Sequence, residues 1–151
     1  EKMNSGGNSN AIFEFDLDQF GYGEVVMSWS PDFNYLAACG ENRVVKYIDR
    51  QGNNKMEMPL KNTGKVLDLA WDKDGDSVAI LQKNYTIVVW NPGTKSVTEI
   101  DMPSKKDLAS FIQWSHTDPV LAIGTEKGSL VFFNKQNQRK IPCVGKHSKK
   151  V

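Results

Sequence analysis

The chain has 151 residues and a mass of 17.0 kDa; 39% of its residues are apolar, 25% are charged, and its formal net charge is +1. Two cysteines are too few for a disulfide framework, and no apolar run exceeds about five residues, where a spanning helix needs about 20.

Residues 1–10 hold a single apolar residue, Met3, and no periodicity, so burial cannot offset their ordering entropy and they are predicted to be disordered. Residues 11–151 form the predicted folded unit. From Ala11 to Phe20, the apolar positions Ile12, Phe13, Phe15 and Leu17 predict a strand with no partner in its own repeat, of the kind that closes a ring from one terminus.

Three repeats follow, at about 21–60, 61–103 and 104–146, each read as three strands, a turn and a fourth strand. The first runs Glu24 to Trp29, Tyr35 to Gly40, Arg43 to Ile48 and Lys55 to Leu60. The second runs Lys65 to Trp71, Ser77 to Gln82, Thr86 to Trp90 and Ser96 to Met102. The third runs Leu108 to Trp114, Val120 to Gly124, Ser129 to Asn134 and Lys140 to Gly145. Pro, Gly, Asp and Asn cluster in the intervening steps, where tight turns need them.

Landmarks keep these repeats in register. Trp29, Trp71 and Trp114 stand 42 and 43 residues apart, and 19 residues after each comes an apolar residue followed by Asp or Asn: Ile48-Asp49, Trp90-Asn91 and Phe133-Asn134. Ala37, Ala79 and Ala122 align between them. A period of this length marks a β-propeller blade, which buries its faces only against neighbouring blades. Closed propellers have four to eight blades, so three repeats predict an all-β fold, a partial propeller forming the N-terminal arc of a larger one. Its end faces, with Val25, Val26, Trp29, Leu130 and Phe132, are expected to be open to association. A chain that starts at Glu1 fits a segment of a longer protein, or one whose remaining blades a partner supplies.

Chemistry-bearing motifs are few. Asp72-Lys73-Asp74-Gly75-Asp76 alternates carboxylates, but its glycine is fourth and the twelfth position is Lys83, so a hairpin turn is predicted and not a calcium loop. Gly145-Lys146-His147-Ser148 lacks the upstream glycine of a phosphate loop. Asn84-Tyr85-Thr86 reads as a turn entering a strand before it reads as a glycosylation site. His116 and His147 stand outside any catalytic pattern, and Cys39 and Cys143 read as reduced packing residues of a cytosolic chain. No catalytic, cofactor-binding or metal-binding residue is predicted, and no cofactor.

Charge is distributed unevenly: after Glu126 there are seven Lys or Arg and no acid. A basic stretch from Lys127 to Lys150 offers a route to anionic membrane, although lysines on outer strands are more simply a solvated surface.

The repeat positions Trp29, Asp49, Trp71, Trp90, Asn91, Trp114 and Asn134, with a Gly-His-like step at Gly145-Lys146-His147, resemble the WD40 repeat family. Three stretches carry a narrower likeness: Ala70 to Asp76, Leu121 to Leu130 and Arg139 to Lys150 resemble the N-terminal propellers of a family of intraflagellar transport A complex subunits. That resemblance implies a non-catalytic interaction scaffold within a large hetero-oligomeric complex, serving retrograde ciliary transport and the trafficking of ciliary membrane proteins. It also implies other subunits of that complex and ciliary membrane cargo adaptors as partners, no nucleic acid, and a location in cytoplasm and cilium, including basal body and axoneme. The alternatives are a generic peptide-binding WD40 adaptor and a propeller binding anionic membrane. Loops on a rigid scaffold commonly carry recognition, which makes the turn residues Glu41, Asn42, Lys83, Asn84, Glu126 and Lys127 the candidate partner contacts.

Overall fold

A computed structural model describes residues 13–141. Twelve strands form three four-stranded antiparallel sheets, each a meander of consecutive strands. The first comprises β1 (Val26–Trp29), β2 (Tyr35–Cys39), β3 (Val44–Asp49) and β4 (Asn54–Pro59). The second comprises β5 (Val66–Trp71), β6 (Val78–Gln82), β7 (Thr86–Asn91) and β8 (Ser96–Asp101). The third comprises β9 (Ala109–Trp114), β10 (Val120–Thr125), β11 (Leu130–Asn134) and β12 (Arg139–Ile141). Within the described residues, each strand predicted for the three repeats appears within one or two residues of its expected bounds. The part of the last outer strand beyond Ile141, the residues 1–12, Cys143 and His147 lie outside the described residues.

The sheets stand face to face, with β1 against β5 and β5 against β9 along the inner edge. Between the first and second sheets lies a core of Ala37, Cys39, Val45, Leu69, Trp71, Ile80, Val88 and Trp90. Between the second and third lies another, of Ala79, Leu81, Ile87, Val89, Ile112, Trp114, Leu121, Ile123 and Phe133. Because side chains alternate along a strand, the middle sheet feeds both cores, and every residue of β6 and the first five of β7 are buried. That is why Ile87-Val88-Val89-Trp90 shows no polar alternation. The similar run in β11 fares differently: Val131 and Phe133 are buried, whereas Leu130 and Phe132 remain partly exposed on the face turned away from the second sheet. Trp29 stays 45% exposed at the opposite end. Three open-ended wedges of one arc are therefore present, as the period predicts.

The strand expected between residues 11 and 20 is corrected by the structure. Among its described residues there is no strand; Leu17–Gln19 forms a 3-10 turn. Aromatic packing and not ladder pairing governs this segment. Phe13 and Phe15 meet edge to face at 5.4 Å, as do Phe15 and Phe20 at 5.6 Å, a geometry that aromatic quadrupoles favour. Phe15 and Phe20 lie over Leu36, Ala38 and Ile48 on the outer face of the first sheet. Lys46 is buried there, its ammonium 5.2 Å from the Phe20 ring centre and 3.4 Å from Glu57. Gly40 is required beneath this segment, since any side chain would collide with the Phe20 carbonyl.

Candidate functional site

The repeat landmarks have distinct physical duties. The Trp71 indole donates its Nε1 proton to the carbonyl of Ser28, at 2.8 Å, and Trp114 donates to Ala70, at 2.9 Å. Each acceptor is the residue immediately before the preceding sheet's own Trp. Trp71 and Trp114 are therefore clasps, each buried in one sheet and hydrogen-bonded to the inner strand of the sheet before it. The Asp or Asn twenty residues on closes the turn into the outer strand. Asp49 accepts from the backbone of Gln51 and Asn53, Asn91 from Thr94, and Asn134 from Gln136 and Asn137. Short side chains that satisfy turn N–H groups explain why only Asp or Asn fills this position. Trp90 serves neither role; it is core, 6.4 Å from the Tyr47 ring.

The predicted contact residues fall on the equivalent β2–β3, β6–β7 and β10–β11 turns, and so share one end of the arc. Glu41, Asn42, Lys83, Glu126 and Lys127 are exposed there, and Asn84 is half-buried. The structure assigns several of their polar groups to internal work. The Asn42 amide donates to the Gln19 carbonyl at 2.9 Å, and its backbone N–H to Phe20. The Asn84 amide donates to Thr63 at 2.9 Å, and the Lys127 N–H to the Asp107 carboxylate at 3.0 Å. In all three sheets, then, this turn is tied to the segment that leads into the innermost strand.

One position, eleven residues after each Trp, anchors that tie in three ways. In the first sheet Gly40 admits the Phe20 backbone. In the second, fully buried Gln82 donates to the carbonyls of Asn62 and Gly64 at 3.0 and 3.1 Å. In the third, buried Thr125 donates to buried Asp107 at 2.8 Å. Sequence reasoning missed Gln82, Asp107 and Thr125; alignment of Gly64 with Asp107, each seven residues before its Trp, is the only signal that could have found them. Between the first two turns Lys65 donates to Glu24 at 2.7 Å, and that hydrogen bond holds the Glu24 carboxyl below its ordinary range. Cys39, in the wall beneath, has its thiol pushed up to about 11 by burial, which leaves it unreactive near neutrality.

At the opposite end, the Asp72–Asp76 segment is the predicted turn. The Asp72 N–H and the Ser77 carbonyl close it, and the Asp72 carboxylate accepts the N–H groups of Asp76 and Ser77. The carboxylates of Asp72, Asp74 and Asp76 lie within 4.8 Å of one another; Lys135 pairs with the first and Lys73 with the second. Asp72 is buried, so Lys135, reaching from the third sheet, neutralises a charge that would be costly alone. The basic stretch is likewise partly engaged: besides Lys135, Lys140 donates to the Asp101 carbonyl of the second sheet at 2.6 Å.

A family model described as the WDR19 first beta-propeller matches residues 25–151. WD repeat-containing protein 19 of Mus musculus and of Homo sapiens are each 40% identical over 119 residues, covering 78% of this chain and 9% of the relative. WD repeat-containing protein dyf-2 of Caenorhabditis elegans is 34% identical over 137 residues, covering 89% of this chain and 10% of the relative. The chain thus spans about a tenth of the length of these curated relatives. Among solved structures, that of U3-55K superposes with a TM-score of 0.71 over 83% of this chain and 40% of the other, at 14% identity, a likeness of fold alone.

Proposed function

Because the chain belongs to the WDR19 first beta-propeller family of WD-repeat proteins, we propose that it works as a rigid, non-catalytic sector of an intraflagellar transport A type scaffold. The single observation that carries the reading is the repeated clasp: two indole-to-backbone bonds and two continuous cores hold three sheets in a fixed relation. A platform of that kind binds by presenting loops in constant geometry and needs no moving part or reacting group. Other subunits of the complex are its partners, and its place is the cytoplasm and the cilium, at basal body and axoneme. Retrograde transport and the delivery of ciliary membrane proteins are the processes it serves.

On the turn-bearing rim, partner contact falls to exposed side chains with no hydrogen bond among the described residues, Glu41 and Lys83 first, while Asn42 and Asn84 hold the rim together. The membrane reading has less support, since Lys135 and Lys140 are bonded within the arc. Affinity purification of the tagged complete polypeptide from ciliated cells, with mass spectrometry of what accompanies it, tests the proposal. Recovery of the transport subunits is expected, and recovery of none of them would sink it. Flotation with liposomes containing anionic lipid at low salt is expected to show no association.

A further inference from the structure

A cleft at the open end of the first sheet is lined by Phe13, Trp29, Phe33 and Arg50. Each of its main features has a counterpart already in use at a described junction. Trp29 occupies the position of Trp71 and Trp114, but its Nε1 has no acceptor among the described residues. Phe33, 67% exposed and held at φ 59°, occupies the position of Gly75, which lies against Pro31 of the preceding sheet. Arg50 occupies the position of Lys135, one residue beyond the turn-closing Asp or Asn, and it too lacks a carboxylate among the described residues.

The two junctions differ in charge in a matched way. At the second, Lys135 pairs with Asp72, the residue directly after Trp71 of the preceding sheet. At the first, the corresponding residues are Pro92 and Ser30, and neither carries charge. A cation at this position is thus accompanied by an acid directly after the preceding inner strand's last aromatic, and a neutral residue by a neutral one.

We infer that the cleft receives the innermost strand of a further four-stranded sheet, outside the three described here, whose last residue is apolar or aromatic and is followed directly by Asp or Glu. The carbonyl just before that last residue accepts the Trp29 Nε1 proton, and the acid pairs with Arg50. The same rule excludes a second copy of this chain as the occupant, because the open third sheet offers Ser115 at the acid's position and would leave Arg50 unpaired. The inference rests on the junction geometry and stands whether or not the transport reading does.

Carbodiimide coupling tests it, since that reagent activates a carboxylate and links it, with no spacer, to an amine within direct reach, and it does not couple arginine. The complete natural polypeptide carrying Arg50→Lys is treated and digested, with the Lys135–Asp72 link as the internal standard. A link is expected from position 50 to an acid that lies outside residues 1–151 and directly follows an apolar or aromatic residue, and it is expected to be absent from the Arg50 protein. A link to an acid within residues 1–151, a link to an acid in another sequence setting, or the standard without any link from position 50 overturns the inference. As a second measurement, Arg50→Glu lowers the melting temperature of the complete protein, and changing the linked acid to Lys restores it; failure of that rescue also overturns the inference.

Discussion

On the first sheet, the face turned away from the second carries Leu36, Ala38 and Ile48, and Phe15 and Phe20 lie over it. On the third, the corresponding face carries Phe111, Leu130, Phe132 and Ile141, with Phe111 and Ile141 both more than 40% exposed and no described residue above them. Similar apolar sheets thus end in different ways. A segment of eight residues, without strand pairing, covers the middle of one end by edge-to-face aromatic packing and a buried lysine paired to Glu57. It leaves Met27 and Trp29 uncovered near the inner edge. Burial at an end of the arc is therefore local and graded, whereas each of the two junctions encloses a continuous buried core.

The sharpest test compares clasps with their exposed counterpart. Trp71→Ala or Trp114→Ala removes a buried indole and its hydrogen bond, and either is expected to cost about 3–5 kcal/mol of unfolding free energy in urea titrations. Trp29→Ala is expected to cost under about 1 kcal/mol in the isolated chain. Equal losses at all three positions would erase the distinction between junction and end. Next in size is Lys135→Met, which strands the buried Asp72 carboxylate and is expected to cost about 3 kcal/mol by the same titration.

Phe20→Ala against Phe111→Ala contrasts the two ends directly. The first opens the covered face, at about 3 kcal/mol, and the second stays within about 0.5 kcal/mol. Thr125→Val deprives Asp107 of its hydroxyl donor and is expected to cost about 1–3 kcal/mol, a rim defect that leaves both cores intact.

The smallest effect is a pH dependence. Desolvation by the surrounding sheet raises the carboxyl of Asp68 above its ordinary value, although the residue remains exposed. The folded state therefore prefers the protonated acid, and the stability tied to that preference is present in acid and is lost as pH rises from below the ordinary aspartate value through the raised one. Asp68→Asn is accordingly expected to stabilise the chain at pH 7 and to lose that advantage in acid, as melting curves at the two pH values would show.

Much of this architecture was legible because its landmarks are local and repeat. An indole every 42 or 43 residues and an Asp or Asn at a fixed offset answer recurring needs: an inter-sheet bond at both junctions, and in every sheet a turn to close. The segment before the first sheet was not legible, because Ile12, Phe13, Phe15 and Leu17 fit a two-residue period whether they pair in a ladder or, as Phe13 and Phe15 do, pack edge to face. The rim ties were hidden for another reason. Gly40, Gln82 and Thr125 meet one requirement with no shared chemistry, and the Asp107 partner of Thr125 lies 18 residues away. The candidate contacts lie on turns, but nothing in the turn composition distinguishes an amide facing outward from one that binds a neighbouring backbone segment, as those of Asn42 and Asn84 do.

Both indole clasps point backward along the chain, from a later wedge to the one synthesised before it. A nascent polypeptide leaving the ribosome would therefore offer each new tryptophan an acceptor carbonyl already displayed on a finished surface, and the structure can grow like masonry, course upon course. The backward reach suits assembly from the N-terminus onward, the order in which a chain emerges during synthesis.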